Sequence, residues 1–199
     1  MKKLMYVCFA VFLGTVAARA QDTSWGVMAG LNASTLEGKD FNLTAPQPGM
    51  NLGIFLNHSK KERSGIKAEL LYTSLGSQFQ NTDNEIRLHY LQIPVYGVAY
   101  LNDRSHSFRP KIMVGPYLGF LLDGKGSNTD AYYFTKKNFS PVELGGKGAV
   151  GFNWNLGQRI WMNSEVYYGL GFTNAHKTES INIHNSSLGF NVGLSFPLE

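Results

Sequence analysis

The chain has 199 residues, 16% of them charged and 22 of them Gly, against roughly 25% charged and roughly 7% Gly in ordinary soluble domains, which excludes a disordered or acidic-tail protein. One domain fits the length, and 43% hydrophobic residues suffice to bury one sizeable apolar surface. The net charge is +4, but Lys2, Lys3 and Arg19 lie among the first twenty residues with no acid beside them, so the remainder is almost neutral and no nucleic-acid partner is expected.

Residues 1–20 read as a secretory signal peptide, with Met1-Lys2-Lys3 as basic head, an apolar body over 4–18, and Ala18-Arg19-Ala20 as the cleavage site after Ala20. The body, about 15 residues, falls short of the roughly 20 that a spanning helix needs. Residues 21–199 form the predicted mature domain. Cys8, the single cysteine, falls inside the leader. The mature chain then has no thiol for disulfides, zinc sites or nucleophilic catalysis.

Alternation with period two recurs along the mature chain, the mark of strands whose faces meet different surroundings. Trp25, Val27, Ala29 and Leu31 oppose Gly26, Gly30 and Asn32; Met50, Leu52, Ile54 and Leu56 oppose Asn51, Gly53 and Asn57; Ile66, Ala68, Leu70 and Tyr72 oppose Lys67, Glu69 and Thr73. Segments 88–101 and 108–122 have weaker phase. In the first, Leu91, Ile93 and Val95 are assigned to the apolar face opposite Gln92; in the second, Ile112, Val114, Leu118 and Phe120 oppose Lys111. Val142, Leu144, Val150, Phe152 and Trp154 alternate with Glu143, Lys147, Asn153 and Asn155. Met162, Val166, Tyr168, Leu170 and Phe172 oppose Arg159, Asn163 and Glu165, with Ser164 a polar intruder on the apolar side. Leu188, Phe190, Val192, Leu194 and Phe196 complete the series.

The fold class is therefore all-β: an eight-stranded antiparallel up-and-down transmembrane barrel, whose strands match the roughly 9–11 residues needed to cross a bilayer at a tilt. Connections support it, because the expected links 34–48, 77–85, 123–141 and 173–187 are long, whereas 58–64, 102–107 and 157–158 are short. Such alternation separates extracellular loops from periplasmic turns and puts both termini in the periplasm of an outer-membrane protein.

The polar faces carry mostly Gly, Asn and Ser, with a few charges of nearly balanced sign: Lys67, Glu69, Lys111, Glu143, Lys147, Arg159 and Glu165. No charge falls on the apolar faces. A soluble barrel would show the reverse, so lipid is expected outside and paired charges inside, filling a lumen too narrow for a pore. Trp25, Phe108, Trp154 and Phe196 are placed at the periplasmic girdle, and Tyr72, Tyr168 and Phe172 at the opposite one. Pro94, Pro110 and Pro116 fall within strands, where bulges or strand starts are expected.

Gly26-Val27-Met28-Ala29-Gly30-Leu31-Asn32-Ala33-Ser34, Glu69-Leu70-Leu71-Tyr72-Thr73-Ser74-Leu75-Gly76, Tyr90-Leu91-Gln92-Ile93-Pro94-Val95, Gly115-Pro116-Tyr117-Leu118-Gly119 and Gly169-Leu170-Gly171-Phe172-Thr173-Asn174 resemble, in order, the landmarks of the PorT-like outer-membrane β-barrel family typical of Bacteroidetes. The chain departs from that pattern at Met28 and Gln92, where charged residues are common, and in carrying Pro197-Leu198-Glu199 after Phe196. The resemblance implies fold and location, and PorT itself is associated with protein secretion.

The expected function is that of a non-enzymatic, monomeric barrel in outer-membrane lipid, contacting surface partners or serving a secretion or assembly machine. The aromatic segment 123–141, with Tyr132, Tyr133, Phe134 and Phe139, is the candidate contact for a protein partner. The alternative is an enzyme acting on lipid A or surface peptides, for which His176, Glu179, His184 and Ser186 supply residue types. A small diffusion pore and a soluble calycin-like binder are further alternatives. No cofactor or metal is expected, as no phosphate loop, dinucleotide fingerprint or zinc motif occurs.

Overall fold

In the computed structural model, which describes residues 22–38, 44–59, 61–79, 85–126, 138–177 and 183–198, the alternating segments become eight strands. These are β1 (Thr23–Gly38), β2 (Thr44–His58), β3 (Ser64–Phe79), β4 (Glu85–Tyr100), β5 (Phe108–Gly126), β6 (Val142–Gly157), β7 (Ile160–Gly171) and β8 (Ile183–Pro197). Each pairs antiparallel with its sequence neighbour, and β8 closes on β1 from Ser24↔Pro197 to Gly38↔Ile183. Closure leaves no edge strand with unpaired amides, the condition a sheet must meet in hydrocarbon. The expected leader, residues 1–20 with Cys8, lies outside the described residues.

The faces fall as the alternation predicts. Leu31, Leu52, Val114 and Val150 point outward with 57–72% of their surface exposed, while Lys67, Glu69, Lys111, Glu143, Lys147 and Glu165 are buried inside at 0–4%. At the rim holding both termini, Trp25 lies against Phe196 (ring centroids 5.5 Å apart) and Phe108 against Phe152 (5.1 Å), with Trp154 beside them in register.

The strands run farther than the sequence pattern suggested. Of the links expected at 34–48 and 77–85, only 39–43 and 80–84 lie between strands, no longer than 59–63 and 101–107 at the other end. The contrast of long and short links persists only between 127–141 or 172–182 and 158–159. The cause is a reversal of pattern near the far rim. There Glu37, Arg87 and His89 lie outside, whereas Leu36, Leu75, Ile86, Leu88 and Ile183 point inward, almost wholly buried in one apolar cluster with Phe139 and Ala175. Strands of about 16 residues rise roughly 40 Å at a tilt near 40°, against an apolar band of about 25 Å. The excess therefore stands in water and obeys the rule of a soluble barrel, greasy inside and charged outside.

Two prolines behave differently from expectation. Pro110 does sit at the start of β5, but Pro94 and Pro116 lie mid-strand without a bulge. Each lacks an amide toward only one neighbour. The β3–β4 ladder skips from Ala68↔Val95 to Leu71↔Gln92, and the β4–β5 ladder from Pro94↔Tyr117 to Gly97↔Val114, with register kept across both gaps. Pairing on the other side survives in Pro94↔Tyr117 and Pro116↔Gly146. Register shifts fall instead between Pro46 and Asn51, His89 and Tyr90, and Asn155 and Gly157.

Candidate functional site

The strands deliver their inward side chains to the barrel axis, where carboxylates and cations meet. Lys67 Nζ lies 2.6 Å from Glu69 Oε1 and 2.6 Å from Glu165 Oε2, and Lys111 Nζ lies 3.5 Å from the same Glu165 oxygen. Lys147 donates to Gln92 Oε1 at 2.6 Å and stands 4.7 Å from the centre of the Tyr167 ring. Glu143 accepts from Asn185 Nδ2 at 2.8 Å. Three lysines thus face three glutamates in a buried interior, where an unpaired ion costs several kcal/mol.

Amides and hydroxyls carry the network across the lumen. Asn51 Nδ2 donates to Tyr167 Oη at 2.9 Å and to Asn191 Oδ1 at 2.8 Å, its own Oδ1 accepts from Asn32 and Thr73, and Asn191 Nδ2 reaches Glu165 Oε1 at 3.3 Å. Room for the tyrosines comes from glycines directly across the ladder. In the pairs Tyr117↔Gly145 and Tyr167↔Gly189 the ring lies over a position with no side chain, and a Cβ on Gly189 would stand 2.5 Å from two Tyr167 ring carbons.

Arg159, expected inside with the other charges, is not there. It occupies the two-residue turn between β6 and β7, exposed, with Gln158 and Arg159 at φ of 49° and 64°. Its parity matches the inward face, but β7 starts only at Ile160, so its side chain leaves at the rim. Without it the charges at the centre of the lumen balance, three lysines against three glutamates. Arg109, two positions before Lys111 on the same face, is a further interior cation that the same alternation places inside; it is 7% exposed at the rim of the termini.

At that rim the turns are tied by charge. Arg63 Nε donates to Asp103 Oδ1 at 2.6 Å, joining the β2–β3 and β4–β5 turns. This hydrogen bond holds the Asp103 carboxyl below the usual carboxylate range and raises the Arg63 guanidinium.

Of the aromatic segment 123–141, residues 123–126 belong to β5, and Tyr132, Tyr133 and Phe134 lie outside the described residues. Phe139 is buried over the far end of the lumen, bridged to His176, whose ring stands edge-on to it at 6.0 Å. The remaining candidates for hydrolytic chemistry are on β8: His184 stands opposite Glu37, and Ser186 shares a hydrogen bond with Tyr168 Oη at 3.0 Å. Glu179 lies outside the described residues. Among the described residues no group of His, Cys, Asp and Glu side chains is arranged to hold a metal ion.

A closed eight-stranded barrel with an apolar belt and a charged, filled interior defines an outer-membrane barrel protein. Residues 19–177 match the family model described as outer membrane protein beta-barrel domain, and the chain belongs to that family. Comparison with curated proteins returns no match. Among solved structures, Neisserial surface protein A is 12% identical with a TM-score of 0.53, covering 86% of this chain and 97% of its own. Outer Membrane Protein W of E. coli is 15% identical with a TM-score of 0.51, over 90% and 100% of the two chains. The outer membrane enzyme PagL is 14% identical with a TM-score of 0.51, over 86% and 99%. At such identities the likeness is one of fold. The protein resides in the cell outer membrane.

Proposed function

We propose that this protein is a non-enzymatic outer-membrane barrel of the PorT-like kind, which works through its rims as a surface-interaction or secretion- and assembly-associated protein. The observation that carries the reading is the filled lumen: lysines, glutamates, asparagines and tyrosines at 0–7% exposure occupy its middle, and an apolar cluster occupies its far end. A lumen filled in this way favours the rims as working surfaces over a conducting or substrate-binding interior. The five sequence motifs quoted above support the PorT-like assignment, and an even strand count after an exported leader supports termini in the periplasm with the links 39–43, 80–84, 127–141 and 172–182 outside.

The test is photo-crosslinking in intact cells from positions 132–134, followed by identification of the attached protein. A discrete partner that disappears when 127–137 is replaced by a short Gly/Ser turn, with the barrel still folded, is the expected result. Stepwise single-channel conductance in planar bilayers, or altered lipid A mass spectra in cells producing the protein, would overturn the reading in favour of a pore or an enzyme.

A further inference from the structure

The rim that holds the termini contains a cavity of about 210 Å³, whose charged lining is Asp22, Arg104, Arg109 and Arg159. Three guanidinium groups thus share one carboxylate, and that carboxylate is already engaged: Arg104 Nη1 donates to Asp22 Oδ1 at 2.8 Å. Arg109 and Arg159 form no ion pair among the described residues. The contrast with the centre of the lumen, where three lysines face three glutamates, is sharp.

Arg109 is the telling member. It is 7% exposed, its guanidinium is stacked on the Tyr100 ring at 3.9 Å, and Nη2 donates to the Glu62 carbonyl at 2.7 Å, while its buried Nε has no hydrogen-bond partner. A second nitrogen, Nη2 of Arg104, is likewise buried and unpartnered. Glu62 and Asp103 act on Arg109 electrostatically but neither carboxylate lies within 4 Å of it, so a buried cation is held without a counter-ion in contact, a state that an arriving anion relieves. Stacking and the carbonyl bond fix the guanidinium plane in advance, and a fixed guanidinium fork suits the paired oxygens of a phosphate or carboxylate. Asn57, Asn153 and Ser195 add neutral polar groups to the wall.

We propose that this cavity is a binding site for a small oxyanion, a phosphate or carboxylate group, held by Arg109 with Arg104 and Arg159. The orientation argued above makes the ligand a periplasmic one; the site itself does not depend on it. Trp161 lines the cavity and reports on it. With Trp25→Phe and Trp154→Phe it is the only tryptophan left of three.

This variant, folded in a detergent free of phosphate, is titrated with inorganic phosphate and separately with succinate, against sodium chloride at equal ionic strength. Trp161 emission is expected to saturate with at least one of the two and not with chloride, and Arg109→Gln is expected to raise the half-saturation concentration at least tenfold. A response to phosphate alone or to succinate alone names the group recognised. The proposal is overturned if neither saturates, or if Arg109→Gln leaves the titration unchanged while the protein keeps the gel mobility of a folded barrel. Should Arg109→Gln fail to fold, the Arg104→Gln/Arg159→Gln pair carries the same test, with an unchanged titration again overturning it.

Discussion

Glu165 is the residue on which the interior charges converge, taking Lys67 at 2.6 Å, Lys111 at 3.5 Å and an amide hydrogen bond from Asn191. Glu165→Gln keeps its volume and removes the counter-ion, leaving Lys111 buried without a carboxylate. Loss of one partner from a buried pair costs about 3–5 kcal/mol. The urea midpoint of the refolded protein should fall accordingly and recover in part when Lys111→Met is added. Gly189 tests packing instead of charge, since Gly189→Ala drives a methyl into the Tyr167 ring and loosens its bond with Asn51. Overpacking of this kind costs about 1–3 kcal/mol, and the same urea series reads it. At this scale the sequence was informative wherever parity alone decides the face, as for Lys67, Glu69, Lys111, Glu143, Lys147 and Glu165. It misled at Arg159, because parity does not say where a strand stops.

Along each strand, the legible part was the membrane-crossing part. In β4 the inward residues change from Ile86, Leu88 and Tyr90 to Gln92, while the outward ones change from Glu85, Arg87 and His89 to Leu91, Ile93 and Val95. A single hydrophobic phase cannot describe such a strand, since its solvent changes from water to lipid along its length, and for that reason its alternation has a weak phase and the expected segment begins only at Leu88, three residues into the strand. The β6–β7 turn shows another element-level constraint: both central residues have positive φ, as a type I′ hairpin link requires, yet they are Gln158 and Arg159. Gln158→Asn with Arg159→Gly relieves that strain and should stabilise the barrel by about 1 kcal/mol in the same unfolding assay. Between turns, the Arg63–Asp103 pair gives a pH signature. Because the folded Asp103 carboxyl is held below its ordinary range, its contribution is complete above about pH 4, the ordinary Asp value. It is lost as pH falls through the depressed folded value, so protection from hydrogen exchange in 59–63 and 101–107, taken relative to the intrinsic rate at each pH, should fall there before protection in the strands does.

As a whole, the molecule is a cylinder with two kinds of wall. Over the middle it turns apolar residues to lipid and pairs its ions along the axis, and toward the far rim it reverts to the arrangement of a soluble barrel. Closure of β1 on β8 was implied by an even number of hairpin-linked strands with no edge allowed in hydrocarbon. The surplus of arginines at the other rim was not implied, because Asp22, the Arg104 and Arg109 pair and Arg159 come from three distant stretches of sequence and meet only when the barrel closes.

Whether the outward apolar face lies in lipid is read by spin labels placed singly along β8 at positions 187–195 in the polypeptide 21–199, which contains no cysteine, reconstituted into vesicles. A period of two is expected: labels at 188, 190, 192 and 194 collide with oxygen far more than with a water-soluble nickel reagent, and those at odd positions meet little of either. Equal access of the nickel reagent to the even positions, or the absence of any period, would contradict it.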